Sequence, residues 1–289
     1  RAEMLTIELG FDVPVGFETF VAKAKLGQLY EEEWSYIRKD DSRFPVLLSI
    51  SALRSESGEI TGFLGISSDI TAKKQTLAEL EKRDILLEGT SNALQHLITS
   101  NNFEEGVEDT LSIVGQASNS DRVYLCKTFL SKDDIPSLQL IVEWHKQLIE
   151  FQENRYNEIS FDKLNLGRWY KVLSGGSVIQ GTRSEFPKNE RKVLIESGIY
   201  SVLLVPIILN GSLWGFLGVY DFHTERIWAE WERSAFQSVA ASLAGAIERN
   251  EAQVSLKNQA QDLELKNIEL TAARESAEIA NLAKSTFLS

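Results

Sequence analysis

The side chains that could do acid–base, nucleophilic or metal chemistry are scarce in this sequence. It holds three histidines and one cysteine, Cys126. His145 and His223 have no second histidine four residues away and no acidic cluster at ligand spacing, as a protein metal site would need. No Ser-His-Asp pattern is recognisable, and Gly175-Gly176 is a single pair rather than a phosphate-binding loop. We therefore predict no catalytic centre and no metal site.

The composition argues against two classes of partner, nucleic acids and membranes. With 42 acidic and 30 basic residues the net charge is −12, and such a surface repels phosphate backbones and anionic headgroups. No run approaches the roughly 18 apolar residues that a membrane span needs. We therefore expect neither nucleic acid nor a membrane as a partner. A single cysteine permits no intrachain disulfide, which suits a reducing compartment, and we predict a cytoplasmic protein.

Alternation and turn residues divide the chain into a strand-rich segment, a helix, a larger mixed segment and a long helix. The strands predicted in the first segment are 33–38, 44–54 and 60–70. They form an antiparallel meander with one face still to be covered. In the mixed segment, Asn210-Gly211 between two apolar runs predicts a hairpin, and Pro206 places the first of its strands at an edge or bulge. The fold class is therefore α+β.

The first segment closes with a long recognisable stretch from Arg38 to Gln75 that includes Asp69-Ile70-Thr71. This stretch resembles the C-terminal half of PAS domains in bacterial sensor kinases. The resemblance implies a partial PAS antiparallel sheet over 1–70, with the PAS helical half upstream of the chain. A linker helix over 71–88 follows.

The middle segment, 89–249, resembles GAF domains of cyanobacterial-type sensor kinases. The motifs that carry the resemblance lie between Gly198 and Arg249, notably Val205-Pro206-Ile207 and the run from Leu213 to Asp221. It implies a central antiparallel sheet flanked by helices, with a small-molecule pocket between the sheet and its covering loops. The alternative for the aromatic residues of this pocket is that they are simply core. The candidate lining residues are Trp144, Phe161, Arg168, Trp169, Tyr170, Arg183, Phe186, Tyr200 and Asp221.

Many GAF domains of this type carry a bilin on a cysteine, and Cys126 is the one thiol that could serve here. The anchoring cysteine of those proteins is usually followed by histidine, whereas Lys127 follows Cys126 in a predicted strand. We therefore do not expect a covalent bilin, and Cys126 is interpreted as a small buried hydrophobe. The cyclic-nucleotide signature of some GAF families is absent. An unidentified small-molecule ligand stays open, and no cofactor is predicted.

The last segment, 263–289, looks like the helix that enters a histidine-kinase dimerisation domain. The matching residues are Ala283, Lys284, Ser285, Phe287 and Leu288. In that family this motif immediately precedes the segment with the phosphoacceptor histidine. The resemblance therefore implies a parent kinase whose ATP and magnesium bind beyond this fragment. It also implies that a response regulator or receiver domain is the partner of the missing kinase core.

Heptad spacing predicts that the long helix, 250–289, is a parallel coiled coil joining two copies of the chain. Its predicted dimer seam consists of Leu256, Leu263, Asn267, Leu270 and Ala277, and that of the linker helix consists of Leu77, Leu80 and Leu87. The alternatives are a single helix packed on its own GAF domain and a linker that is only a spacer.

The sequence thus predicts a dimeric sensory module of a two-component histidine kinase. Three other interpretations stay open: a chromoprotein with non-covalent bilin or haem, a sensor for another output such as a diguanylate cyclase, and a structural dimer scaffold with a closed pocket.

Overall fold

The computed structural model of the chain describes residues 1–28, 30–100, 102–146 and 158–287. These residues fall into two units, Arg1–Glu81 and Lys82–Ser289. Among the described residues, no helix is long and apolar enough to cross a membrane.

The first unit is a three-stranded antiparallel sheet with one helix on one face and a second helix packed against the first. Its elements in chain order are α1 (Ala2–Leu9), α2 (Phe17–Lys25), β1 (Tyr30–Ile37), β2 (Arg43–Arg54) and β3 (Ile60–Asp69). The strand order is β1-β2-β3, so the meander predicted from alternation is present. Asp41, at φ 63°, makes the turn between β1 and β2.

Helix α2 covers the apolar face of this sheet and α1 packs against α2, and neither helix was predicted from the sequence. Val21 and Ala24 of α2 form a core cluster with Leu48 and Ile50 of β2. The prediction that the helical cover lies upstream of the chain is wrong for this face. The error arose because α1 and α2 are only 8 and 9 residues long, and a helical period is hard to recognise over two turns.

Helix α3 (Thr71–Thr99) runs without interruption through the predicted linker and beyond its expected end at residue 88. Its start is capped, because the Thr71 amide donates to Asp69 Oδ1 at 2.8 Å. The predicted seam residues on it, Leu77, Leu80 and Leu87, are all exposed. Later in the helix, Leu86, Ala93 and Leu97 are buried in the second unit.

The second unit is built on a six-stranded antiparallel sheet in the order β6-β5-β4-β9-β8-β7. The strands are β4 (Arg122–Leu130), β5 (Pro136–His145), β6 (Ile159–Ser160), β7 (Ile179–Thr182), β8 (Ser201–Leu209) and β9 (Ser212–Asp221). The helices are α4 (Phe103–Ala117), α5 (Gly167–Ser174), α6 (Lys188–Glu196) and α7 (Glu230–Phe287), with a 3₁₀ turn at Arg183–Glu185.

The two faces of the larger sheet carry separate apolar cores. On one face, β4, β8 and β9 pack against α3, α4 and the first turns of α7. On the other face, which we call the cavity face, the sheet is covered by α5, α6 and the segments beside them. Alternation along each strand sends odd and even residues to different cores.

The hairpin at Asn210-Gly211 has the predicted geometry, with φ of 49° and 78° at its two central residues. Pro206 lies in β8, which is an inner strand, yet β7 pairs only with Ser201–Leu204. The proline therefore sits beyond the end of that pairing and next to a bulge at Ile207/Ile208, so it removes no donor from the ladder with β7.

Helix α7 is one uninterrupted element of 58 residues that begins at Glu230, well before residue 250, where the predicted coiled coil begins. Phe236, Val239, Leu243 and Ile247 are buried in the core of the second unit. From Glu251 to Thr271 every side chain is exposed. Ala277 lies in the helix, but its side chain falls outside what the structure describes, and Leu288 and Ser289 lie outside it altogether.

Candidate functional site

A small cavity of about 50 Å³ with an open mouth lies between the cavity face of the larger sheet and the layer formed by α5 and α6. The sheet contributes Arg122, Tyr124, Cys126, Leu138, Leu140, Phe216 and Tyr220 to its lining. The covering layer contributes Phe161, Leu164, Leu166, Trp169, Val193, Leu194, Ser197 and Ile199.

Aromatic rings form much of the wall. Tyr124 lies 4.9 Å from Tyr220 and 6.1 Å from Phe216 between ring centroids, the latter edge to face. Phe161 lies 6.4 Å from Phe216 and 5.5 Å from Tyr170. Such edge-on and tilted pairs keep flat apolar surfaces facing the space between them.

Gly218 makes room for one of these rings. It is the cross-strand partner of Tyr124, and a Cβ at this position would lie 2.1 Å from Tyr124 Cζ. Only glycine therefore lets the Tyr124 ring lie flat over β9.

Arg122 supplies the positive charge of the cavity wall. It is 4% exposed, forms an ion pair with Glu143, and its Cζ lies 4.9 Å from the centroid of the Tyr124 ring. Burial by itself would lower the pKa of Arg122, but Tyr124, Glu143 and Tyr220 outweigh it and raise the pKa above its usual value. The guanidinium therefore stays charged.

Burial favours the neutral forms of two other titratable groups of the wall, Tyr124 and Cys126. It raises the pKa of Tyr124 well above its usual value, with contributions from Tyr220 and Cys126. It also raises the pKa of the Cys126 thiol to about 12. Cys126 is thus a buried thiol, as predicted, but it lies on the cavity wall rather than in solid core. A thiol in this state is a poor nucleophile.

An ion-pair latch ties α5 to α6 above the cavity. Glu190 is 1% exposed and accepts hydrogen bonds from Arg168 Nε at 2.7 Å, Arg168 Nη2 at 2.6 Å and Trp169 Nε1 at 2.9 Å. Burial raises the pKa of Glu190, yet these bonds to Arg168 and Trp169 prevail and hold it below its usual value. We call this group the Glu190 latch.

The structure brings together only part of the predicted pocket. Phe161 and Trp169 line the cavity. Tyr170 and Phe186 lie behind them in the same core, Phe186 with its ring centroid 5.8 Å from that of Trp169. Arg168 belongs to the Glu190 latch.

Trp144 lies on the opposite face of the sheet and does not line the cavity. Its ring packs on α4, where a Cβ at Gly115 would come within 2.1 Å of it. The cause is a bulge in β5, because Leu125 pairs with Val142 while Cys126 pairs with Leu140. The skipped residue reverses the alternation, so Trp144 points away from the side that Leu140 faces.

Arg183, Tyr200 and Asp221 also lie away from the cavity. Arg183 stacks on the Tyr200 ring, 3.7 Å from Cζ to the centroid, and approaches Glu225 at 3.8 Å. Asp221 belongs to a buried polar network, described next.

This network, which we call the Arg226 hub, joins the end of the sheet to the start of α7. The Arg226 guanidinium donates to Ser118 O at 2.9 Å and to Asp221 Oδ2 at 3.4 Å, and it forms an ion pair with Glu232. Glu232 in turn accepts from the Ala229 amide at 2.8 Å, which caps the helix. Burial, together with Asp121 and Glu232, raises the pKa of Asp221 although Arg226 lowers it.

His223, one of the two histidines considered for a metal site, lies in the same region. His223 Nδ1 lies 2.8 Å from Asp121 Oδ2, which also accepts from the Phe222 amide at 2.7 Å. His223 is otherwise exposed. Across the described parts of the chain, no group of three or more His, Cys, Asp or Glu side chains could hold a metal ion.

Sequence reasoning missed the cavity residues on β4 and β9. The signal was available in β4, where Arg122, Tyr124 and Cys126 alternate and so share one face of the strand. A charged residue among the side chains on one face of a buried strand indicates that this face borders a cavity rather than solid hydrophobic core. On β9, the glycine at 218 between Phe216 and Tyr220 was the matching signal.

Comparison with known proteins gives two family matches. The GAF domain model matches residues 102–247, and a PAS domain model matches residues 1–72. Over 206 residues, 71% of this chain, the sequence is 33% identical to the methanogenesis regulatory histidine kinase FilI of Methanothrix harundinacea. The chain spans 23% of the length of that relative.

Solved structures match this chain at low identity. The chromophore-binding domain of a bacteriophytochrome from R. palustris is 13% identical with a TM-score of 0.50, over 81% of this chain and 79% of that one. The phycocyanobilin-bound GAF domain of a cyanobacterial phytochrome is 19% identical with a TM-score of 0.48, over 60% of this chain and 96% of that one.

Proposed function

We propose, from the premise that this chain belongs to the GAF domain family and carries a PAS domain ahead of its GAF domain, that it is the sensory and dimerisation module of a two-component histidine kinase. In this proposal the PAS and GAF domains receive the signal, and α7 carries it onward. The 33% identity to a histidine kinase supports this output over a diguanylate cyclase.

The observation that carries the proposal is the two-part character of α7. Its first turns are core of the GAF domain, and the next turns expose Leu256, Leu263 and Leu270 at 66%, 63% and 67%. From residue 250 to 287 the helix extends about 57 Å at 1.5 Å per residue. A helix that leaves its own domain with leucines seven residues apart requires another helix to bury them.

The partner we propose is a second copy of the chain, lying parallel. Burying one leucine contributes about 1.5–3 kcal/mol, so three from each chain would offset the entropy of association. Asn267, between two of these leucines, is exposed and would face its own copy. An asparagine in a seam fixes register at a cost in stability, which makes the coil responsive to small shifts.

The Arg226 hub couples the end of the sheet to the start of α7. The hub ties Ser118 and Asp221, on either side of the sheet end, to Glu232 in the first turn of α7. A change in the cavity that moves β4 or β9 would therefore shift the helix start directly. Proposals beyond this chain are a phosphoacceptor histidine and an ATP–magnesium kinase core after it, a response regulator as partner, and a cytoplasmic location.

The experiment is native mass spectrometry of the purified chain, together with a triple variant in which Leu256, Leu263 and Leu270 become serine. The matched control replaces Val254, Leu265 and Ile268 with serine, because these are also exposed, at 50%, 61% and 62%, and lie on the opposite face of α7. We expect a dimer for the wild type and the control and a monomer for the seam variant. A monomeric wild type at micromolar concentration, or a dimer that survives the seam variant, would reject the coiled coil.

A chromoprotein is the second candidate, because Cys126 lies on the cavity wall. Its raised pKa disfavours a thioether, and His145 and His223 do not line the cavity. An absorption spectrum decides: a visible band that copurifies with the chain would support a bilin or haem, and a colourless protein would reject it.

A further inference from the structure

The exposed part of α7 carries a second row of apolar side chains, on the face opposite the predicted dimer seam. Val254, Leu265 and Ile268 are 50%, 61% and 62% exposed. At about 100° per residue, Val254 lies about 160° around the helix from Leu256 of the seam. We call Val254, Leu265 and Ile268 the outer row. A parallel coil that buries the seam leaves the outer row facing water.

The three residues of the outer row share one face of the helix. Leu265 lies about three turns after Val254, and Ile268 lies about one turn further on, within about 60° of both. The row therefore spans about 21 Å at 1.5 Å per residue, the length of roughly four turns of a partner helix. Single exposed apolar side chains are ordinary on a surface, but apolar residues along one helix face form the kind of surface on which an amphipathic helix docks.

Exposed carboxylates border this row. Residues three or four positions apart are neighbours on a helix surface. Asp262 and Glu269 therefore border the outer row along one edge, next to Leu265. Glu264 borders it along the other edge, four residues before Ile268. All three carboxylates are exposed, and none forms an ion pair within the part of α7 that the structure describes.

The charges make the two faces of α7 suitable for different partners. Lys257 and Glu264 border the seam on one side and Lys266 borders it on the other, so a second copy meets both signs of charge there. At the outer row the carboxylates outnumber the one base, Lys257 beside Val254. A second copy on this face would bring carboxylates near carboxylates, and nucleic acid or an anionic membrane would be repelled as well. The complement of the outer row is an apolar stripe bordered by lysine or arginine.

We propose that the outer row is the docking site for a basic amphipathic helix of a partner protein, which lies along the coil. The apolar residues of this partner recur at three- and four-residue spacing over about four turns, with basic residues beside them. The inference rests on the proposed coil, because pairing through the seam is what leaves the outer row on the outside. A helix bound there would brace the coil against the small shifts that are proposed to carry the signal.

The test uses the full chain and a pair of synthetic helical peptides. The probe is a fluorescein-labelled peptide of roughly 18 residues, about five turns, with leucine at every third or fourth position and lysine beside each leucine. The second peptide has glutamate in place of every lysine. Fluorescence anisotropy at pH 7 should show the lysine peptide binding at least about tenfold more tightly. Equal or tighter binding of the glutamate peptide, or no binding of either, would overturn the inference.

Serine variants locate the apolar part of the site. Replacing all three residues of the outer row should weaken binding of the lysine peptide at least about tenfold. The control replaces Met4, Ile7 and Val15 of the first unit with serine, because these are 65%, 84% and 91% exposed. A similar loss in both variants, or no loss in the outer-row variant, would place the peptide elsewhere.

Amide variants test the carboxylates in the same assay. Asp262→Asn, Glu264→Gln and Glu269→Gln together should weaken the lysine peptide at least about threefold. The control makes the same change of net charge at three exposed acids of the first unit, which are Asp12, Glu56 and Glu59. An equal loss in the control would mean that the peptide responds only to the overall charge, which rejects the site. Native mass spectrometry of the same samples separates the two proposals: a dimer that binds no peptide rejects the outer row alone, and a monomer rejects the coil and the inference with it.

Discussion

Replacing Arg226 with methionine should destabilise the GAF domain by about 3–5 kcal/mol at neutral pH, the cost of breaking a buried ion pair from one side. Two features of the structure place this loss of unfolding free energy in the upper part of the usual range for point mutations. Asp221 and Glu232, whose side chains are 7% and 8% exposed, both lose their cationic partner. The hydrogen bond to Ser118 O is lost as well.

The pH dependence of this loss has a definite sign. The pKa of Asp221 is raised in the folded protein, and Arg226 is a group that lowers it, so the variant raises it further. Folding then opposes ionisation of Asp221, a cost that is complete above the folded pKa and disappears as pH falls towards the unfolded value. The difference between variant and parent should therefore shrink from pH 7.5 to pH 5.

The assay is urea unfolding followed by tryptophan fluorescence in a Trp34→Phe background. Trp34 is the one tryptophan of the first unit, so the remaining signal reports the second unit, and Trp228 lies 4.3 Å from the Arg226 guanidinium carbon. Arg233→Met is the control, because Arg233 pairs only with the exposed Glu230 among its described ion pairs, and it should change stability by less than about 0.5 kcal/mol. A loss below about 1 kcal/mol for Arg226→Met, or a loss that grows at low pH, would refute the hub.

Three further changes test the cavity and its latch. Gly218→Ala should cost about 1–3 kcal/mol by driving a methyl group into the Tyr124 ring, whereas Gly175→Ala, with ordinary contacts, should cost far less; equal effects in urea unfolding would contradict the close packing. Cys126 should resist Ellman's reagent at pH 8 in the native protein and react on unfolding, because its pKa is about 12; rapid native labelling would show an accessible thiolate. Glu190→Gln should lose about 1.5–3 kcal/mol at pH 7. Since the folded pKa of Glu190 is lowered, the stability it contributes is present above its ordinary pKa and lost as pH falls through the folded value; a loss unchanged between pH 7 and pH 3 would contradict the latch.

Local patterns predicted much of the secondary structure. The Asn210-Gly211 hairpin and the strands of the first unit follow from turn chemistry and from period-two alternation. Asn102 caps α4 through its side chain, which accepts from the Glu104 amide at 3.0 Å. These features depend on neighbours within a few residues, so the sequence displays them directly.

The length of α7 and the helical cover of the first unit were harder to predict. No glycine or proline interrupts the run from Glu230 to Phe287 apart from Gly245, which sits inside a well-packed helix. The buried and exposed parts of α7 have the same helical backbone and differ only in what surrounds their side chains. In the sequence, this change from buried to exposed positions looks like the end of one helix and the start of another. Two-turn helices such as α1 give too few apolar positions to establish a period.

By itself the sequence determined the α+β class, the order of the two domains, the absence of an intrachain disulfide and the seven-residue spacing on the last helix. Only the tertiary structure decided which aromatic residues meet at the cavity. The bulge that skips Ile141 turns Trp144 to the helical side, and pairing between distant strands brings Arg122 beside Tyr220. A one-residue shift reverses the face of every later side chain in a strand. The position of the bulge depends on strand pairing with residues far along the chain. Alternation alone could therefore not predict which residues line the cavity.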